Sequence, residues 1–522
     1  MSETRTPFGA APKSATEQEA ADPRRWLVLA LVGLAQLMIV LDLTVVNIAL
    51  PSAQRSLHFA TVDRQWVVTA YALAFGSLLL LGGRLADLLG RKITFMASLA
   101  GFAVASAAGG AATSLTMLVT ARACQGAFAA VMAPSALSVL TNTFQDPKER
   151  GKAFGVFGAI AGAGGAVGLL LGGALTEYLS WRWTLYVNLF FAGVALAGAA
   201  RLLKRQPTRG GQRLDLPGAV LVGGAMFCLV YGFANAATHN WHTPSTYGFL
   251  IAGVIALAGF AAWQARARAP LLPPRVVADR NRSGAYLGML FASAGMFGIF
   301  LLLTYYLQTT LGYSPVDTGL AFLPMSAALI VSAGLGQIVL MPRTGPKPLV
   351  GLGMLIAAAG MVWLTRIGVH SGYAPAILAP LLVVALGLGQ VIAPVMNTGT
   401  FGVEPTDAGV ASATVNVGQQ LGGSMGTALL NTMVAGATAS YLSSHLNQAT
   451  VAGGHPGATL AGQSLVHGYT VGFWWTAGIF AAGAVVCGIL LRRGPMYPRQ
   501  SPETTQSPAA RAAPVPVAQH GE

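Results

Sequence analysis

Asp42 stands in LMIVLDLTVVNIALP, a carboxylate inside an otherwise apolar run. A charge at that depth is costly unless solvated or paired, so an acid there is a candidate for loading and releasing a proton. The competing reading is a structural carboxylate at the outer boundary, hydrogen-bonded to Thr44 or Asn47. Arg122 stands in a second apolar run, LVTARACQGAFAAVMAP. A guanidinium keeps its proton. It therefore needs a carboxylate, backbone oxygens or a water-filled cavity, or must snorkel toward the outer end of its run. It either couples proton binding to substrate movement or locks helices together. Gln125 follows three residues on and shares its helical face.

A third group is GGRLADLLGRK, which sets Arg84, Asp87, Arg91 and Lys92 between two apolar runs. The bases suit a turn kept in the cytoplasm, and Gly83 and Gly90 suit a tight turn. Asp87 works against pure positivity. It can accept hydrogen bonds from a base or a helix N-terminus when two halves of the molecule meet. A fourth is GVFGAIAGAGGAVGLLLGG, where Gly158, Gly162, Gly164, Gly165, Gly168, Gly172 and Gly173 form overlapping G-x-x-x-G patterns. These offer a flat surface to a neighbouring helix, either as generic packing or as a sliding seam. No strand precedes them and no GK[ST] follows, so they are not a phosphate loop. Asn47, Tyr305, Tyr306, Gln308, Asn397, Asn416, Gln419 and Gln420 scatter through other runs. They are helix-to-helix glue, interfacial groups or contacts for an amphipathic or cationic ligand.

The elements that must position these groups are read from composition. The 522 residues are 54% hydrophobic and only 9% charged, with mean hydropathy +0.60. Soluble domains run nearer a quarter charged. Fourteen apolar runs approach the roughly 20 residues of a membrane span. They lie at 27–48, 66–82, 93–115, 117–139, 154–175, 184–203, 216–236, 247–264, 284–307, 318–341, 348–366, 374–397, 408–434 and 472–491. Such runs are helices, because lipid offers no backbone hydrogen bonds. With the N-terminus inside, Arg55, Arg64, Arg182 and Arg366 fall outside and Arg122 in a span. The other 26 of the 31 Lys and Arg residues fall inside, a strong positive-inside bias. That bias accounts for the net charge of +14 without nucleic acid. An even number of spans returns the C-terminus to the cytoplasm.

The expected class is an all-α polytopic membrane protein. The expected layout is a cytoplasmic tail (1–23), a six-helix bundle (24–203), a linker with two further spans (204–283), a second six-helix bundle (284–494) and a disordered cytoplasmic tail (495–522). A faint repeat supports the pairing: GRK at 90–92 and GPK at 345–347 each join two apolar runs. The apolar run after Arg24 and Arg25 reads as a retained first span. Cys124, Cys228 and Cys487 read as free thiols. One long outer loop is expected at about 435–471, and the spacing of His445, His455 and His467 supports no metal site. No nucleophile triad, metal cluster or ATP-hydrolysing module is visible, so pumping must draw on an ion gradient or another subunit.

Several of these stretches together resemble a known family. GGRLADLLGRK is similar to the loop motif of the major facilitator superfamily between its second and third spans. LDLTVVNIALP resembles the first-span signature of the fourteen-span drug:proton antiporters in that superfamily. Arg122 with Gln125 and Gly126 resembles the fourth-span motif, and Gly158 to Gly173 the fifth-span antiport motif. WRWTLYVN (181–188) and QWVVTAYALA (65–74) also match. The family usually carries Gly-Pro before the final glycine pair, where this chain has Gly168-Leu169.

The resemblance implies two six-helix bundles rocking about a central cavity, with two extra helices between them. It implies export of amphipathic, antibiotic-like compounds against inward H+ flow across a bacterial cytoplasmic membrane. The protein would be a monomer in membrane lipid, a secondary transporter rather than an enzyme, without cofactor or metal. Asp42 would be the proton site, Arg122 would repel or relay the proton, and Gly83, Arg84, Asp87, Gly90, Arg91 and Lys92 would form a cytoplasmic gate. An exporter of one metabolite, a solute importer and, remotely, a non-transport membrane enzyme are the alternatives.

Overall fold

The structure, a computed structural model, describes residues 24–59, 63–203, 214–238, 241–451 and 458–494. The tails, Lys204, Arg205, Arg209, Arg213 and His455 lie outside the described residues, as do the side chains of Asn47, Arg64 and Leu169 and the surroundings of Gly162. The apolar runs are helical: α1 Arg24–Leu57, α2 Arg64–Leu89, α3 Arg91–Gly110, α4 Leu115–Thr143, α5 Pro147–Tyr178, α6 Trp183–Leu202 and α7 Leu216–Thr238. The chain continues with α8 Pro244–Gln264, α9 Arg280–Tyr305, α10 Pro315–Leu335, α11 Pro346–Leu364, α12 Ala379–Thr400, α13 Ala408–Val451 and α14 Ala458–Leu490. Among the described residues twelve helices, all but α5 and α13, are long and apolar enough to cross a membrane.

Local chemistry sets the helix starts. Asp146 accepts the Glu149 amide at 3.0 Å, with Pro147 in the first turn of α5. Ser314 and Asp317 form a reciprocal capping box on α10. Such caps satisfy amides that have no partner inside the helix. The two glycines of the faint repeat both take the left-handed conformation, φ 89° at Gly90 and φ 74° at Gly345. Each directly precedes a helix, so the repeat is one of conformation as well as letters.

Helices α1 to α6 pack among themselves: α2 and α3 on α4, and α1 on α5, α6 and α4. Helices α9 to α14 do likewise, with α11 on α12 and α14, and α9 on α13 and α14. The two sets meet where α5 packs on α10 and α12, and where α13 packs on α2 and α4. Helices α7 and α8 pair with each other, and α7 lies on both α2 and α13.

Two expectations need correction. The segment 435–471 is mostly helix, because α13 runs to Val451 and α14 begins at Ala458. Its polar side chains hide the helix from a hydropathy reading without preventing backbone pairing. Gly83 is not in a turn; it lies within α2, and only Gly90 turns the chain. Gly83 serves close helix approach instead, as described below.

Candidate functional site

Asp42 and Arg122 meet. The guanidinium Nη1 donates to Asp42 Oδ2 at 2.5 Å, and both side chains are almost fully buried. Asp42 Oδ1 accepts from Gln125 Nε2 at 3.0 Å and from Asn188 Nδ2 at 2.9 Å. Both amides also reach Ser106 Oγ, at 2.7 and 3.4 Å. Arg122 donates further to the Val67 carbonyl (3.2 Å) and to Gln125 Oε1 (2.9 Å), and its guanidinium carbon sits 4.4 Å from the Tyr71 ring centre. The site thus draws polar groups from five helices: Asp42 from α1, the Val67 carbonyl from α2, Ser106 from α3, Arg122 and Gln125 from α4, and Asn188 from α6. Two buried charges hold together only when the remaining lone pairs and protons are also satisfied. That is the work of Gln125, Asn188 and Val67. Thr44 takes no part; its hydroxyl donates back to the Val40 and Leu41 carbonyls. Arg122 is paired rather than snorkelling.

One helical turn further along the same helices lies a small apolar cleft, lined by Val46, Val67, Leu118, Thr184 and Leu185 with others. Each of these residues stands within four positions of a member of the polar cluster. The one hydroxyl there, of Thr184, is spent on the Trp181 carbonyl at 2.5 Å. This cleft gives the ion pair an apolar ceiling toward the end of the molecule that carries Trp181.

At the opposite, basic end the two helix sets are joined by polar contacts. Asp87 accepts the backbone amides of Gly409 (3.0 Å) and Val410 (3.3 Å), in the first turn of α13. Arg84 and Arg91 lie close enough to act on its charge. Lys92 donates to the Ala200 carbonyl of α6 at 2.8 Å, a contact inside the first helix set that does not bridge the two. Gly83 faces Gly409: a methyl group at 83 would lie 2.5 Å from the Gly409 carbonyl oxygen and 2.6 Å from Ala413 Cβ. Arg150, at the start of α5, is buried and reaches the far end of α12. It donates to Asn397 Oδ1 (2.8 Å), Thr400 Oγ1 (3.0 Å) and the Asn397 carbonyl (3.5 Å), against the Phe154 and Phe401 rings. Acid therefore meets the positive start of one helix, and base the negative end of another.

The glycines of α5 sort onto two faces. Methyl groups at Gly164, Gly168 and Gly172 would press on Val40, Thr44 and Val45 of α1. At Gly158, Gly165 and Gly173 they would press on Ala393 of α12 (2.7 Å), Phe300 of α9 (3.2 Å) and Val316 of α10 (3.2 Å). One glycine face seats α5 on its own helix set and the other on the second set.

Comparison with known proteins places this architecture. The model of the Major Facilitator Superfamily matches residues 32–427. The chain belongs to the Major Facilitator Superfamily. A puromycin resistance protein of Streptomyces alboniger is 48% identical over 486 residues, covering 93% of this chain and 95% of its own. The cephamycin export protein of Amycolatopsis lactamdurans is 40% identical, covering 81% and 88%. The tetracenomycin C resistance and export protein of Streptomyces glaucescens is 37% identical, covering 79% and 76%. The crystal structure of the human organic anion transporter MFSD10 shares the fold, with a TM-score of 0.59 at 15% identity, covering 89% of this chain and all of that one. The chain is therefore a multi-pass membrane transporter.

In this superfamily member the other candidate residues divide by partner. Tyr306 is buried and donates to the Gly368 carbonyl at 2.7 Å. Asn416 donates to the Ser412 carbonyl at 2.9 Å. Asn397 holds Arg150, and its amide nitrogen reaches Gln337 at 3.2 Å. Tyr305 is exposed, while Gln308, Gln419 and Gln420 are half-buried, and Gln420 leans toward Gly76 of α2. Among the described residues no cluster of His, Cys, Asp and Glu could hold a metal.

The hairpin of α7 and α8 is tied at its base by Asp215. That carboxylate accepts from the Gly218 amide (2.9 Å), Trp263 Nε1 (2.9 Å), Gln264 Nε2 (2.8 Å) and the Leu271 amide (3.4 Å). Desolvation pushes the Asp215 carboxyl up, but these four hydrogen bonds outweigh it and hold the group below its ordinary value. Ser106, Asn188, Arg150 and Asp215 were not singled out from sequence as site residues. Asn188 ends the WRWTLYVN motif, and an amide in an apolar run was its available signal.

Proposed function

We propose that the chain is a proton-coupled exporter of amphipathic, antibiotic-like compounds in a bacterial cytoplasmic membrane. The relatives named above are resistance or export proteins, similar over most of their length. Asp42 carries the coupling reading. Of the three acids that are buried among the described residues, Asp215 and Asp407 sit at helix starts, while Asp42 alone lies within a helix. Proton arrival at Asp42 neutralises one half of a buried ion pair, and Arg122 must then lean on Val67, Gln125 and Tyr71. That change reaches five helices at once.

In this reading α5 and α13, 32 and 44 residues long, also span the membrane, giving fourteen spans with both termini cytoplasmic. Helices α1–α6 and α9–α14 are the two bundles, residues 24–203 and 284–494, and 204–283 is an inserted linker. The contacts of Asp87 and Arg150 are a cytoplasmic gate, shut in an outward-facing arrangement. Gln308, Gln419, Gln420, Tyr305 and Asn47 are the candidates for substrate contact.

The test is efflux from proteoliposomes under an imposed proton gradient, with puromycin and a panel of cationic amphipaths as probes. Transport should fall when the gradient is collapsed, and Asp42→Asn should lose gradient-driven transport while remaining folded. Unchanged efflux of a confirmed substrate in either case refutes the coupling. The single-compound names of the relatives favour a narrow exporter as second reading. Transport of one probe from the panel would select it over broad drug efflux.

A further inference from the structure

The two amides on Asp42 Oδ1 are not equivalent. Gln125 is pinned: its Nε2 donates to Asp42 and Ser106, while its Oε1 accepts from Arg122 at 2.9 Å. Turning it over would break the Arg122 bond and set its NH2 group against the guanidinium, which has no acceptor to offer. Asn188 is also fully buried and donates to the same two oxygens. Its Oδ1, however, is buried with no hydrogen-bond partner. No donor holds the far side of that amide, so a half-turn about its last bond loses nothing there. The rotation is a soft, roughly two-fold one.

We propose that Asn188 is a positioning residue that turns over when Asp42 gains its proton. This rests on Asp42 being the proton site proposed above. With Asp42 ionised, Asn188 must present Nδ2, because an amide oxygen 2.9 Å from a carboxylate would repel it. When a proton adds to Asp42 Oδ1, an O–H forms and needs an acceptor. Arg122 is donor-only and Gln125 Oε1 is committed to it. Asn188 Oδ1, swung into the place of Nδ2, accepts the O–H, and the Ser106 hydroxyl turns to donate to the same oxygen. The new O–H is then hydrogen-bonded without moving a backbone, while the Asn188 NH2 group turns to the partnerless side and gives up its two acceptors, a cost that returns the amide when the proton leaves. The charged or titratable groups facing Asp42 from packed helices, among the described residues, are Arg122 of α4 and Tyr71 of α2; α3 and α6 bring the uncharged Ser106 and Asn188, and α5 brings Gly168 against the next turn. The amide belongs to α6, so the proton's arrival is written onto a helix that carries neither Asp42 nor Arg122.

The experiment is pH-difference infrared spectroscopy on the full chain in lipid nanodiscs. The band of the protonated Asp42 carboxyl is assigned by its loss in Asp42→Asn. Asn188→Leu should move that band to higher frequency, because the O–H has lost its acceptor. It should also move the band's titration midpoint toward higher pH by about a tenfold change in proton affinity, since the bond lost to the ion is stronger than the one lost to the acid. Gln125→Leu should move the midpoint and leave the frequency alone. In wild-type protein with 13C-labelled asparagine, an amide carbonyl band should change with the midpoint of the Asp42 band, a measurement that needs no variant to fold. A wild-type Asp42 band that Asn188→Leu leaves at its frequency, or that no asparagine band accompanies, overturns the role of Asn188 alone. A wild type with no Asp42-dependent band overturns the proton site and this role with it.

Discussion

Gly83→Ala is the sharpest perturbation of the proposed gate. The new methyl group would lie 2.5 Å from the Gly409 carbonyl oxygen, 2.6 Å from Ala413 Cβ and 3.0 Å from the Gly409 carbonyl carbon. Two of these three atoms are backbone, so no side-chain rotation relieves the contact. Helices α2 and α13 must separate at the basic end by several tenths of an ångström or more. Overpacking of this kind costs about 1–3 kcal/mol. The penalty exists only while the two ends are together, so it shifts the closed-to-open ratio by about 5- to 150-fold. The assay is the distance between spin labels at positions 89 and 404, both exposed and on opposite sides of the seam, in a chain whose three cysteines are replaced. Gly83→Ala should move weight to longer distances. Gly351→Ala, where a methyl group meets nothing within 4 Å, should not. An unchanged distribution in Gly83→Ala, or an equal change in the control, refutes the steric argument.

Three further outcomes follow from the same geometry. Arg150→Ala should lengthen the 89–404 distance, and Arg150→Lys should restore little of it, because a single ammonium cannot span Asn397 and Thr400 as a fork does; full recovery by lysine counts against the contact as drawn. Asp87→Ala should open the same end by removing the acceptor of two α13 amides, and an unaltered distance would leave Asp87 as a topology signal alone. Asp215→Asn should lower thermal stability by about 1–3 kcal/mol, since amide hydrogens replace an acceptor facing four donors. The Asp215 carboxyl is depressed in the fold, so its stabilisation is full above its ordinary range near pH ~4 and fades as pH falls through the folded value. Thermal unfolding against pH should show a steeper acid loss in wild type than in Asp215→Asn; parallel curves would argue against it.

Much of this was legible in the chain. Asp42 and Arg122 stood out because ions in apolar runs demand an account. Gln125 could be put on the Arg122 face by helical spacing alone. The rest of the cluster is invisible in one dimension: Ser106 and Asn188 lie 64 and 146 positions from Asp42 in the chain, and small polar residues in spans are common enough to pass unnoticed. Gly83 was misread because a glycine near a turn signals either a bend or a close neighbour, and its neighbour Gly409 is 326 positions away. Arg150 looked like one more topology signal. Only the arrival of α12 beside it makes it a buried contact.

The segment 401–407 between α12 and α13 is tied at both ends and along its length. Arg150 grips the helix end before it and Asp87 the helix start after it. Arg275 pairs with Asp407 at 2.8 Å, and Arg282 reaches the Gly402 carbonyl at 3.3 Å. Surface loops ordinarily tolerate added residues at small entropic cost. This one has no slack to give. A single residue inserted at 403 would offset one helix end against the other and unseat acid, base and linker arginines together, whereas an insertion at 242, between α7 and α8, touches none of them. Its length, more than its letters, is what the molecule must keep.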